Sequence, residues 1–585
     1  MRTRKLLLMV SWLTILGLLV ISCAPAVAPT PKPEAPAPAK APTTAPAAPA
    51  PTKAPAAPPA KPTAAPAKPA APSPSPKPTV EQPRYGGILR VADKAETRDY
   101  DIHQAVSVRC QTPLSAVYNG LLQFDQVGDP GNIIGDLAER WEASPDGKVY
   151  TFYLHKNVKW HDGKPFSSED VKFSIERQAN PPKGTISPRK DSLTGIDKIE
   201  TPDPSTVRIA LQYRRAAFIP FVASAWCKIL AKHVVEPLGN AKSLKAQVGT
   251  GPFKLKEHVS GVSFEVTKNA DYFLKGRPYV DGILRYFIMD TATRFAAFRT
   301  HKVNMTGLIT MGFTPTEAEF VERELAGKAT VHRFPGMVFV GLSLNTKTPP
   351  FNDIRARKAV ALALDRASAS GMVLDEFKVG GFQSPGGKWA LPEDELMKIP
   401  GYRQPKDADR AEAKKLLAEA GYADGLKVKL LDRIGGTTQA VRAEFLQDQL
   451  KKVGINMELA PMEDARYYSE LGARRFTVGF FYMGVGIDDP DAGLVSIFHT
   501  KGALNYAQFS DEEVDQLLDE QSRELDEKKR RELVLKAQRR VMDLAPVVEI
   551  YWNWGVIGTW NEVRNWKPGN GIYERAMFQE VWLAQ

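Results

Sequence analysis

The sequence predicts an α/β protein with more than one hydrophobic core. Strand-like and helix-like runs alternate along the chain, and at least once a helix is followed closely by a strand, the order of a parallel-sheet unit. About 500 residues remain once a low-complexity N-terminal part is set aside, too many for one ordinary core. Residues 87–92 predict a first strand after Gly86. Residues 149–154 alternate aromatic and β-branched side chains, as a half-buried strand requires. Residues 168–175 predict a helix with Glu169 and Asp170 in its first turn, where the helix dipole favours acids. Residues 354–366 set Ala359, Val360, Leu362 and Ala363 on one helical face. Residues 438–453 do the same with Val441, Phe445, Leu446 and Leu450, and a strand over 455–459 follows. Ser510, Asp511, Glu512 and Glu513 read as a capping box opening a helix with Val514, Leu517 and Leu518 on its apolar face. No internal repeat is found.

The N-terminus reads as a targeting segment. Arg2, Arg4 and Lys5 precede an apolar run from Leu6 to Leu19, which is short for a membrane span. Val20-Ile21-Ser22-Cys23 then resembles a bacterial lipobox, which implies cleavage before Cys23 and a lipid on its thiol. An ordinary secretory signal and an uncleaved anchor are the alternatives. Residues 24–83 are almost wholly Pro, Ala, Lys, Thr and Ser, without periodicity or enough side-chain area to offset chain entropy. Such a stretch predicts a disordered, semi-rigid stalk; at roughly 3.1 Å per residue it reaches up to about 190 Å.

Charge and cysteine usage exclude several classes. Nine Lys or Arg and two acids before Arg84 take +7 of the formal +11, leaving +4 for the remaining chain. That small excess, with no basic–aromatic patch, argues against nucleic acid as a partner. Cys110 and Cys227 remain beside Cys23. An oxidising exterior permits a bridge between them, but spacing alone leaves bridge or free thiols open. No CxxC or histidine cluster suggests a metal, and no cofactor is expected. His161-Asp162-Gly163 and Gly249-Thr250-Gly251-Pro252 read as structural turns, the latter lacking the lysine of a phosphate loop. No nucleophile elbow or zinc-protease motif occurs. The pair Asp488-Asp489 precedes Pro490 in a turn and does not form an acid–base pair, so an enzyme is not expected.

Several longer stretches go beyond periodicity. They are Tyr118 to Asp125, residues 136–152, Val158 to Phe166, Glu169-Asp170-Val171, Gly249 to Leu255, Leu344-Asn345-Thr346, and Pro350-Phe351-Asn352-Asp353-Ile354-Arg355. In this order over residues 85–585, the set resembles the solute-binding proteins of ABC importers, in the family of dipeptide-, oligopeptide- and nickel-binding proteins (family 5). The resemblance implies a two-lobed periplasmic-binding-protein fold of the cluster C type, with an extra subdomain in the first lobe. By analogy lobe I takes residues 84–336, with the subdomain near 111–199; lobe II takes 337–546; and 547–585 return to lobe I. The implied mechanism is hinge closure around a ligand and presentation to permease subunits.

The resemblance also places candidate ligand residues. Peptide-binding members carry an aspartate for the ligand's ammonium three residues before the aspartate of an Asp-Pro pair. Counting back from Asp489 gives Gly486, so that anchor is missing unless Asp488 substitutes. An arginine gripping the ligand carboxylate matches Arg433, whose alternative partner is Asp432. Tyr482, Met483 and Gly484 are expected at the lobe interface, Trp552 and Trp554 beyond the second crossing, and Met337 and Phe339 beside the hinge; for the aromatics, core packing is the competing account. The expected function is a monomeric, lipid-anchored extracytoplasmic receptor that takes a peptide-like or other carboxylate-bearing solute to an ABC permease. Metal–chelate or oligosaccharide uptake, a secreted hydrolase and a sensory receptor partner are the alternatives.

Overall fold

The computed structural model describes residues 81–584, apart from residues 98, 106, 126, 130, 183–184, 186, 308–311, 370–376, 435–436, 485 and 570–576. The leader, Cys23 and nearly all of the stalk lie outside the described residues. No helix among the described residues is long and apolar enough to cross a membrane.

Two long strands organise the rest. Ala329–Leu344 and Val547–Trp560 run antiparallel, pairing from Ala329 with Trp560 to Ser343 with Val547. At about 3.3 Å per residue, 16 residues reach about 50 Å, enough to cross two lobes. Their register shifts twice, between Pro335 and Phe339 and between Val340 and Gly341. On one side of the first shift the sheet continues through Met305–Thr306, Ile88–Asp93, Gly282–Phe287, Ser263–Lys268 and Phe253–Val259. On the other it continues through Val478–Gly484, Leu426–Arg433 and Ile455–Met462. Phe377–Lys378 pairs off Val547–Trp560 at Asn553 and Trp552. Each half buries its own cluster: Leu89, Val91, Phe253, Ile283 and Ile557 in the first, Val340, Leu342, Leu430, Leu446 and Ile455 in the second.

A third core belongs to an added sheet in the first lobe. Its strands run in the order Ala138–Ala143, Val149–Leu154, Thr206–Leu211 and Ile196–Asp203, so it extends past residue 199. Phe152, Val207 and Ile209 from the sheet meet Val171 and Ile175 from the helix Ser168–Ala179. That helix starts as its acids suggest, with Ser167 and Asp170 forming a capping box.

The local expectations hold where the periodicity is clear. The first strand is Ile88–Asp93, and Val149–Leu154 forms as read. The helix Thr437–Lys451 leads into Ile455–Met462, which pairs in parallel with Leu426–Arg433. One cap is corrected. Asp511, not Ser510, caps the helix Glu512–Arg523, its carboxylate accepting from Val514 N at 3.0 Å. Both residue types cap well, and the helix starts one residue later than the box predicts.

The glycine turns have structural partners. A Cβ on Gly249 would come 1.8 Å from the Val117 carbonyl oxygen, so only glycine permits that approach. His161 spans the turn: Nδ1 accepts from Gly249 N at 3.2 Å, and Nε2 donates to the Gly251 carbonyl at 3.0 Å. Burial pushes this imidazole down to about 4, so it stays neutral and bonds both ways. Cys110 and Cys227 are both free and buried, and burial raises both thiols above the ordinary range.

Candidate functional site

The hinge side of the second lobe is built by Val478–Gly484. Antiparallel pairing with the crossing strand sets Tyr482 opposite Val340, Met483 opposite Phe339 and Gly484 opposite Val338. Gly484 is exposed, while nothing is described of the Met483 and Met337 side chains.

Tyr482 is the centre of a cationic cluster. Arg433 ends the strand Leu426–Arg433, and its guanidinium carbon lies 5.1 Å from the Tyr482 ring centroid. Arg433 Nη1 donates to the Tyr468 hydroxyl at 3.3 Å. Arg442, on the helix Thr437–Lys451, lies 5.3 Å from the same centroid and donates from Nη1 to the Tyr482 hydroxyl. It also lies 5.5 Å from the Tyr551 ring. Two guanidinium groups thus share one aromatic ring, an arrangement cation–π attraction stabilises. Asp432 stands beside them, accepting from Arg433 N at 2.7 Å. Burial pushes its carboxyl up to about 6, with Arg433 and Arg442 opposing. Arg433 does not form an ion pair with Asp432 through its guanidinium; the bond between them is to the backbone N–H.

Past Gly484 the chain leaves the second lobe's sheet and reaches the first lobe. A Cβ on Gly486 would come 3.4 Å from Trp226 Nε1. The Arg189 guanidinium carbon lies 3.4 Å from the Trp226 ring centroid. Ile487 is buried in the first lobe's added core, with Leu121, Phe221 and Cys227. Position 486 therefore faces a tryptophan with a cation stacked on it. Asp489 turns back into the second lobe and pairs with Arg530.

Three of the aromatics near the hinge divide by burial. Phe339 and Trp552 are each 1% exposed and pack on one another at 5.5 Å between centroids. Trp552 Nε1 donates to the Gly381 carbonyl at 2.7 Å. Both have the surroundings of core residues. Trp554 is half-buried, with the Lys378 ammonium 4.7 Å from its ring centroid. The structure thus brings Arg433 and Tyr482 together, sets Gly486 against the opposite lobe and places Phe339 and Trp552 in a core. Arg442, Trp226 and Arg189 did not emerge from the sequence. Arg442 did carry a signal: it lies between Val441 and Phe445 on the buried side of its helix, where a charge is out of place. Nothing local marks Trp226.

Comparison with known proteins follows the same architecture. The family described as bacterial extracellular solute-binding proteins, family 5 middle, matches residues 132–505. Heme-binding protein A of Haemophilus influenzae is 27% identical over 467 residues, 74% of this chain and 81% of that protein. The glutathione-binding protein GsiB of Salmonella choleraesuis is 27% identical over 438 residues, 73% of this chain and 81% of that protein. Among solved structures, the periplasmic binding protein DppA of Helicobacter pylori, in complex with the peptide STSA, is 26% identical. It superposes with a TM-score of 0.71, covering 86% of this chain and 99% of that one.

Proposed function

This chain belongs to the bacterial extracellular solute-binding proteins of family 5, and on that premise we propose that its ligand is a carboxylate-bearing solute held beside Arg433. The protein serves an ABC-type importer, and its family is one of transport receptors. The carrying observation is the pair of guanidinium groups on Tyr482 at the hinge side of the second lobe. A guanidinium fork matches a carboxylate with two parallel charged hydrogen bonds. Arg442, largely buried against Tyr482 and Tyr551, holds the ring; Arg433, half-buried at a strand end, is the group free to turn toward a ligand. At the other end, Gly486 offers no carboxylate to an ammonium. A modified peptide or amino-acid derivative with a free carboxylate and a blocked or absent amine suits both features. Both lobes come from one chain, so a monomer suffices to enclose it.

Relatives that bind glutathione and a short peptide make this ligand class a natural starting set. Thermal unfolding against short N-acetylated peptides, each with a free or an amidated C-terminus, tests the reading. A ligand at 100 times its Kd should add about 2.7 kcal/mol of stability. Stabilisation should be seen with free carboxylates and lost on amidation. Equal stabilisation by the amides would reject a carboxylate anchor.

The proposal extends to attachment. Cys23 carries a lipid after cleavage, and residues 24–83 tether the receptor to the membrane. Cys23→Ser should move the protein into the soluble fraction of disrupted cells; retention in the membrane fraction would point to an uncleaved helix.

A further inference from the structure

The second lobe carries an open sheet edge. Ile455–Met462 is the last strand of the sheet on that side. It pairs with Leu426–Arg433, and no strand among the described residues pairs with its other edge. Alternation fixes which backbone groups are left over. Leu426 N donates to the Gly454 carbonyl at 3.0 Å and Ile434 N to the Met462 carbonyl at 2.6 Å, so the even-numbered residues of this strand bond to the neighbour. The odd-numbered Ile455, Met457 and Leu459 turn their N–H and C=O groups outward. The Gln447 side chain donates to the Met457 carbonyl at 2.8 Å, as that outward direction requires. Pro461 follows on the same side, where its missing N–H is not needed.

A groove of about 710 Å³ runs along this edge. Lys427, Lys429, Asn456 and Glu458 are exposed on one face of the sheet, and all four line the groove. Val428, Ile455 and Met457 face the other way, under the helix Thr437–Lys451, which adds Gln447, Asp448 and Lys451. The acids of the groove have lysines of their own. Asp448 pairs with Lys452, and Glu458 lies 3.9 Å from Lys429. Lys427 and Lys451 are exposed and make no ion pair among the described residues. A row of outward backbone donors and acceptors thus runs between ammonium groups that nothing neutralises.

Lysines beside an edge and a proline at its end guard against self-pairing. A second copy would bring the same lysines against one another. An acidic strand would neutralise them.

We propose that this edge binds an extended acidic segment of another protein as an added strand, its backbone bonding to Ile455, Met457 and Leu459 and its carboxylates meeting Lys427 and Lys451. Main-chain bonds give such strand additions their affinity, and flanking side chains give selectivity. Lys429 stands four residues before Arg433 on one strand, a separation of about 13 Å. The surface therefore lies away from the hinge-side cluster and does not depend on the carboxylate reading.

Fluorescence anisotropy with the full chain at pH 7.5 tests it. The probe is an alternating valine–glutamate heptapeptide, fluorescein-labelled at its N-terminus and amidated at its C-terminus. It should bind, and the version with lysine in place of glutamate should bind at least tenfold more weakly. N-methylation of the probe's central amides removes its backbone donors and should weaken it by a similar factor. Lys427→Glu combined with Lys451→Glu changes two exposed side chains, leaves the fold intact and should also cost at least tenfold. Saturating probe should slow hydrogen exchange at the Met457 and Leu459 amides at least tenfold. Arg433→Ala should leave all of this unchanged; loss of binding in that variant would put the probe beside Arg433 and overturn the edge site. No binding, equal binding of the lysine or N-methylated peptide, full affinity in the double variant, or unaltered exchange at both amides would each overturn it too. So would amides already protected without peptide in a self-associated protein, which would assign the edge to a second copy.

Discussion

The Asp489 carboxylate and the Arg530 guanidinium meet in a buried fork, Oδ2 lying 2.7 Å from Nη1 and Oδ1 2.8 Å from Nη2. Asp489 sits in the turn that leaves the site, and Arg530 sits on the helix Glu527–Leu544, so the fork fixes the turn's exit. Asp491 extends this pairing across the lobes. It lies 3.6 Å from Arg530 and 3.7 Å from Arg215 of the first lobe. Breaking a buried pair by removing one partner leaves an uncompensated charge, at a cost of about 3–5 kcal/mol. Arg530→Met should destabilise the protein by that order in urea unfolding, and Asp489→Ala combined with Arg530→Met should recover part of it. A single variant as stable as the parent would show that the fork contributes nothing net.

Arg433 is the residue on which the ligand reading turns. Arg433→Ala removes a charge-assisted bond of about 1.5–3 kcal/mol, so Kd for a carboxylate ligand should rise roughly 10- to 150-fold. Arg442 keeps its own contacts with Tyr482 and Tyr551, and the fold should tolerate the change. Calorimetric titration with the best free-carboxylate peptide measures it. Unchanged affinity would take Arg433 out of the site.

Much of this was legible in the sequence, for reasons that differ by residue. Val149–Leu154 and the helix–strand pair at 437–462 were readable because burial on one face imposes a period on neighbouring residues. The family resemblance pointed to Arg433 and Tyr482 separately, but their contact was not readable, since 49 positions separate them and no local pattern encodes it. Trp552 and Trp554 looked alike in sequence. They differ because alternate side chains of a strand face opposite ways only while its pairing is regular, and both lie next to a register shift. The apposition of Gly486 and Trp226 joins two lobes through an irregular turn, where periodicity has nothing to say.

Glu549 predicts a pH dependence of stability. It lies on the second crossing strand opposite Gly341, at the second register shift, and is 1% exposed. The Tyr402 hydroxyl donates to Oε2 at 3.2 Å, and Arg366 Nε lies 3.5 Å from the same oxygen. Burial pushes the carboxyl up to about 8, with Arg366 and Tyr402 opposing. An unfolded glutamate titrates near 4.5. Between about 4.5 and 8, then, the native chain keeps a proton that the unfolded chain has lost. The neutral group's contribution is complete below that window and declines as pH rises through it. Glu549→Gln, which is neutral at every pH and keeps the bond from Tyr402, should flatten the decline in urea unfolding measured at pH 5, 6.5 and 8. Identical slopes in parent and variant would mean that Glu549 is ionised in the native protein.

Gly486→Asp asks whether the missing carboxylate sets the ligand class. The added Cβ meets Trp226 Nε1 at 3.4 Å and Cδ1 at 3.7 Å, ordinary contact distances, so the variant should fold. Its carboxylate would stand near the indole N–H of Trp226 and within reach of the Arg189 guanidinium stacked on that ring. Those donors favour the ionised form, as an ammonium anchor requires, and they also compete with the ligand for it. The net gain for a free-amino peptide should fall toward the lower end of the charged-bond range, about 1.5 kcal/mol, with none for its N-acetylated form. Arg189→Gln added to Gly486→Asp removes the competitor and should raise the gain. A folded Gly486→Asp protein that still does not discriminate free from acetylated amines, with or without Arg189, would show that no peptide ammonium reaches this turn. The absence of a carboxylate at 486 would then have no bearing on specificity.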